Sequence, residues 1–140
     1  MKYKRVLLKL SGEALSSEDT TGIDFNKALD FAKVIKEVVD QGLELAIVVG
    51  GGNFWRGRTN KMINRCTSDY IGMLATTMNA LALNDALLQS GVDSRVQTSI
   101  EMRQLCKNKK RKIYFARSGF YSTIIFCSSD WKGERILKNA

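Results

Sequence analysis

Two short stretches bring together residue types suited to binding phosphate. The first is Lys9-Leu10-Ser11-Gly12, an ammonium beside a turn of small residues. The second is Leu45-Ala46-Ile47-Val48-Val49-Gly50-Gly51-Gly52-Asn53-Phe54-Trp55-Arg56-Gly57-Arg58, an apolar run that breaks into three glycines and then into a basic, aromatic loop. Glycines at a strand end permit positive φ and let an anion reach the main chain with no Cβ in its way. Arg56 and Arg58 add guanidinium donors that match phosphate oxygens bidentately. A tight turn with two solvated arginines is the alternative reading of the second stretch, and a solvated edge lysine that of the first. Asp69 stands in the first turn of a predicted helix, where the helix dipole favours a carboxylate whatever its role.

These residues need a scaffold of alternating strands and helices. Tyr3 to Leu10 and Leu43 to Val49 read as strands, the second buried on both faces. Between them Phe25, Ala28, Leu29, Ala32, Ile35 and Val39 hold one helical face, with Asp24 as N-cap and Gly42 as terminator. Ser68 is placed to cap a second helix running from Asp69 or Tyr70 to about Gln89, apolar nearly all round and so expected to be covered on more than one side. Ser94 to Ile100 alternates as a third strand. The pattern is that of an α/β fold built from crossover units.

Totals narrow the classes. The 140 residues carry a net charge of +8, yet residues 1–106 hold 13 Lys and Arg against 12 Asp and Glu, while residues 107–140 hold 9 against 2. The basicity therefore belongs to the tail, and its Lys107–Lys112 block reads as a solvated segment rather than a nucleic-acid site. Three cysteines in no metal-ligand spacing, with no histidine, give no reason to expect a protein-held metal. No apolar stretch looks long enough to span a membrane, and the expected compartment is the cytoplasm. Gly52 to Thr59 nearly matches a P-loop, but Arg58 stands where that motif needs lysine, and no amphipathic helix follows at once.

Lys9-Leu10-Ser11-Gly12-Glu13-Ala14-Leu15, Gly22-Ile23-Asp24, Val49-Gly50-Gly51-Gly52-Asn53, Arg56-Gly57, Asp69 and Gly72-Met73-Leu74-Ala75-Thr76, in this order and spacing, resemble the bacterial uridylate (UMP) kinases of the amino-acid-kinase superfamily. The resemblance runs from Tyr3 to about Leu105. It implies a three-layer α/β/α sandwich with a mainly parallel sheet, of which residues 1–105 are the N-terminal, phosphate-binding part. It also implies ATP-dependent phosphorylation of UMP to UDP in pyrimidine nucleotide biosynthesis, with Mg²⁺ accompanying ATP. By position, Lys9, Leu10, Ser11, Gly12, Gly52 and Arg56 would meet ATP, with Lys9 neutralising charge during transfer, and Gly51 and Asp69 would meet UMP. Ser17, Glu18, Asp19, Thr20, Thr21 and Gly22 match the loop through which GTP activates and UTP inhibits the family. The assembly implied is a homohexamer.

Past Leu105 the resemblance ends. The chain has no proline, so the T-G-N-P segment with which the family binds UMP is missing. Residues 106–140 are therefore read as an out-of-frame basic and aromatic tail, and a product of this length is expected to fold poorly and to lack kinase activity. An inactive nucleotide-binding or subunit-pairing fragment is the alternative function.

Overall fold

The computed structural model describes residues 3–17, 22–56, 62–98, 102 and 123–127. Strand β1 (Arg5–Leu10) passes through a short 3-10 turn (Gly12–Leu15) and a loop into helix α1 (Phe25–Asp40), which leads to β2 (Glu44–Val49). Helix α2 (Arg65–Gln89), β3 (Ser94–Gln97) and β4 (Ile124–Cys127) follow.

Local chemistry explains the boundaries of α1. Asp24 accepts the N–H of Asn26 at 3.0 Å, satisfying one orphan donor of the first turn, and Gly42 at φ +88° ends the helix in the left-handed region. Helix α2 departs from its expected start. It begins four residues before Asp69, capped by Asn64, whose side chain accepts the Cys66 N–H at 2.8 Å. Ser68 is not the cap: it lies inside the helix, where its hydroxyl accepts from the Trp55 indole N–H at 2.9 Å. Gly91 at φ +82° follows the last turn. By length and composition alone the 25-residue α2 is apolar enough to cross a membrane, longer than the sequence reading allowed for, as the core helix of a folded domain also can be. Much of that apolarity serves the protein's own core, since Ala75, Ala80, Leu83, Ala86 and Leu87 are buried.

The strands form one sheet in the order β1-β2-β4-β3. β1 and β2 pair in parallel, as their helical crossover requires, with Arg5 opposite Glu44 and Leu10 opposite Val49. β4 runs antiparallel to both β2 and β3, so β1, β2 and β3 point the same way and the pairings are mixed. One sheet face carries Val6, Leu10, Leu45, Ile47, Val49, Ile125, Cys127 and Val96 and packs against α1 and α2 through Ala28, Ala32, Ile35, Ala80, Leu83 and Leu87. The opposite face holds a smaller buried cluster of Ala46, Ile124 and Phe126. Among the described residues both helices thus lie on one side of the sheet. The run Ile124-Ile125-Phe126-Cys127 is too short to show a period in sequence, yet all four residues are buried.

Burial pushes the Cys127 thiol from about 9 up to about 12. The folded state then keeps this proton where an unfolded chain releases it, so the contribution to stability is complete below pH 9 and drains away as pH rises from 9 to 12. A thiol-specific disulfide reagent at pH 8 is expected to label the exposed Cys66 in the native protein and Cys127 only on unfolding in urea. Equal labelling rates for the two under native conditions would contradict the placement of β4 within the sheet.

Candidate phosphate-binding site

The carboxyl ends of β1 and β2 meet at a point held by small residues. Gly50 donates its N–H to the Leu10 carbonyl at 2.8 Å, so the first turn after β1 and the glycine turn after β2 lie side by side. A Cβ at Gly12 would stand 2.5 Å from the Gly50 carbonyl oxygen, 2.6 Å from Asn53 Oδ1 and 2.8 Å from Asn79 Nδ2, so only glycine fits there. At Gly51 a Cβ would fall 2.8 Å from the Ala75 Cβ and 3.1 Å from the Thr76 nitrogen, which is where the turn lies on α2. The glycine turn does not use positive φ: among described glycines only Gly22, Gly42 and Gly91 do. Gly51 serves close packing instead, a correction to the expected conformational reason.

Two side-chain amides, Asn79 fully buried and Asn53 half-buried, lock this junction. Asn53 Nδ2 donates to Asn79 Oδ1 at 3.0 Å and Asn79 Nδ2 returns a bond to Asn53 Oδ1 at 2.7 Å. The remaining amide hydrogens go to main-chain carbonyls, from Asn53 to Gly22 at 2.8 Å and from Asn79 to Gly50 at 2.7 Å. All four side-chain donor hydrogens are thereby used, which makes the full burial of Asn79 tolerable. Past the pair, the Gly51 carbonyl accepts the N–H groups of Phe54 at 3.1 Å and Trp55 at 3.0 Å, closing the turn. No acceptor among the described residues takes the N–H groups of Gly51, Gly52 or Asn53. Three successive main-chain donors at a strand end are the material of an anion site.

Of the expected side chains, Lys9 is exposed near the end of β1, in register with Val48, and has no partner among the described residues. Ser11 and Gly12 form the adjoining turn. Leu10 offers only main chain, because its side chain is in the core. Arg56 reaches back across the turn to the Glu13 carboxylate, and Glu13 also lies against Gly52. Asp69 is exposed on α2, on the helix face shared by Gly72 and Thr76, whose backbone touches the glycine turn; its nearest cation is Arg65 at 3.9 Å. Of the effector loop, Ser17 and Gly22 are described, while Glu18, Asp19, Thr20 and Thr21 lie outside the described residues, as do Gly57, Arg58 and the Lys107–Lys112 block.

Three features escaped the reading of the sequence. Asn79, hidden in an apolar helix, was detectable as a polar residue of modest helix propensity at a core position. Glu13 lay within a recognised motif without an assigned role. The Thr76 and Thr77 hydroxyls each lie 3.2 Å from that of Thr123, which is 3.5 Å from Thr98, forming a hydroxyl cluster at the same sheet edge. Nothing local in sequence joins Thr123 to Thr76.

Asn79→Ala leaves the Gly50 carbonyl and the Asn53 amide without their buried partner and is expected to lower unfolding free energy by about 1–3 kcal/mol. Gly12→Ala is expected to cost about as much, through overpacking. Urea denaturation followed by circular dichroism checks both, and an unchanged midpoint for either would contradict the junction described.

Comparison with known proteins agrees with this arrangement. The model of the amino acid kinase family matches residues 4–120, past the point where the sequence resemblance fades. A crystal structure of UMP kinase from Ureaplasma parvum is 36% identical, with a TM-score of 0.70, and the match covers 79% of this chain and 47% of that one. UMP kinase from Bacillus anthracis is 40% identical, with a TM-score of 0.58, over 62% of this chain and 36% of that one. The chain thus spans less than half the length of either structure. A mixed α/β core with a glycine turn at the strand ends, and a family model covering most of its length, make this chain a member of the amino acid kinase family.

Proposed function

We propose that this chain carries the phosphate-binding part of a UMP kinase, transferring the γ-phosphoryl group of ATP to UMP to form UDP and ADP, a step of pyrimidine nucleotide biosynthesis in the cytoplasm. The observation that carries the reading is the placement of Lys9, without a partner among the described residues, at the end of β1, beside a glycine turn whose N–H groups have no described acceptor. Likeness to the two UMP kinase structures supplies the substrates.

In this reading an oxygen of the UMP phosphate attacks the γ-phosphorus in line, and the bond from that phosphorus to the ADP oxygen breaks. Such a transition state asks the protein for position and charge rather than a covalent intermediate. Lys9, Ser11, Gly12, Gly52 and Arg56 bind the ATP phosphates, with Lys9 stabilising charge as it moves to ADP. Gly51 approaches UMP and Asp69 takes its ribose hydroxyls. Mg²⁺ enters with ATP, bound mainly by phosphate oxygens and water; among the described residues no three acidic, His or Cys side chains gather to hold it. The loop from Ser17 to Gly22 is the proposed site of GTP activation and UTP inhibition. Tyr70, Leu74 and Met78, exposed along one stripe of α2, are the proposed contact in a homohexamer. That stripe also favours a second reading, a chain that binds nucleotide or pairs with another subunit without turnover.

A coupled assay for ADP, run with UMP and MgATP beside equilibrium dialysis of each nucleotide, separates the two. For a kinase, Lys9→Ala is expected to lower kcat about 100- to 1,000-fold with a smaller change in nucleotide affinity. Binding without ADP release supports the second reading, and neither binding nor release overturns both.

A further inference from the structure

Among the described residues, Glu13 is the one charged side chain at the glycine turn to which the phosphate-binding reading gives no task. Its carboxylate accepts from the Arg56 guanidinium. Its Oε1, Cγ and Cδ also stand 3.4, 3.8 and 3.9 Å from the point a Cβ on Gly52 would occupy. A carboxylate oxygen is thus held between a guanidinium and bare glycine backbone. Those are the surroundings in which an incoming phosphoryl oxygen would be received, and carboxylate and phosphate compete for the same guanidinium fork.

We propose that Glu13 is an internal anion filling this subsite in the free protein, and that a nucleotide phosphate binds by exchanging with it on Arg56. The proposal rests on the reading of the glycine turn as a phosphate site. Exchange is feasible because the Arg56 and Glu13 side chains are 64% and 53% exposed, so solvent screens their attraction and replaces it readily. The backbone of Glu13 need not move: its carbonyl is held by the N–H and hydroxyl of Ser16, at 3.2 and 2.9 Å, while the side chain swings. Glu13 then also sets specificity. A monoanion gains little by replacing a carboxylate, whereas a polyphosphate of higher charge gains much, so the site favours polyphosphates over simple anions.

The test is calorimetric titration of the full 140-residue chain with inorganic tripolyphosphate at fixed ionic strength. Glu13→Gln and Glu13→Ala, both checked for native circular dichroism, are expected to bind about two- to fivefold tighter than wild type. In an Arg56→Ala background the same substitution should bring a markedly smaller gain, and the Arg56 Nε–H resonance should shift on titration of wild type. Unchanged or weaker binding by both Glu13 variants, while wild type binds, overturns the exchange and leaves the phosphate site standing. A gain of equal size without Arg56 assigns the effect to general repulsion and also overturns it. Failure of wild type and variants alike to bind overturns both the exchange and the phosphate-site reading.

Discussion

The reciprocal amide pair of Asn53 and Asn79 is the constraint on which the rest of the site depends. One partner sits in the glycine turn after β2 and the other in the middle of α2, and their spare hydrogens reach the carbonyls of Gly22 and Gly50. Three segments distant in sequence are thereby fixed to one another, and a fourth, the Ser11-Gly12 turn, is threaded so closely among them that position 12 has room for no side chain. In a low-dielectric junction such a pair is strong while complete and costly when broken, which gives it a single geometry. The turn that displays open N–H groups is consequently rigid without help from a ligand, the condition for preorganised charge stabilisation.

Charge at this edge is arranged differently from the amide pair. Lys9, Arg56 and Glu13 are all exposed, and only the latter two meet. A rigid uncharged frame with mobile charges at its rim suits a ligand that arrives charged. In the proposed phosphate site the frame would set where the phosphate lies, and the rim charges would rearrange around it at little cost because water already screens them. The glycine turn is further anchored outside the amide pair by Trp55, whose indole N–H reaches Ser68 within α2. That contact explains why α2 starts earlier than its apolar pattern suggests: its first turn is a support for the loop before it becomes part of the core.

The sheet gives this junction its footing. β2 is central, paired on one side with β1 and on the other with β4, and its residues are buried among both clusters of the core. Because β4 runs against its neighbours, its first residues lie at the carboxyl ends of β2 and β3. Thr123 therefore joins Thr76, Thr77 and Thr98 beside the glycine turn. Ligands of open α/β sheets bind at these carboxyl ends, and the described part of this chain concentrates its polar buried groups there.

The sequence alone determined the class of fold. Helix α1 was legible to its caps because Asp24, the apolar spacing and Gly42 all act within a few residues of chain. The first two strands were legible as apolar runs ended by glycine, and the motifs around Lys9, Gly51 and Arg56 pointed to phosphate. Tertiary structure alone decided what those motifs are for. The glycines at 12 and 51 are demanded by neighbours 38 or more and 21 or more residues away, not by local φ. Asn79 acquires its role only when Asn53 is brought to it, and Glu13 only when Arg56 folds back. β4 showed in the sequence only as a short apolar run that could be a strand, because four residues cannot display a period, and its burial comes from strands and a helix remote in sequence. Local signals fix elements through short-range sterics and hydrogen bonds, whereas close approach, amide pairing and ion pairing exist only between segments that folding has already placed side by side.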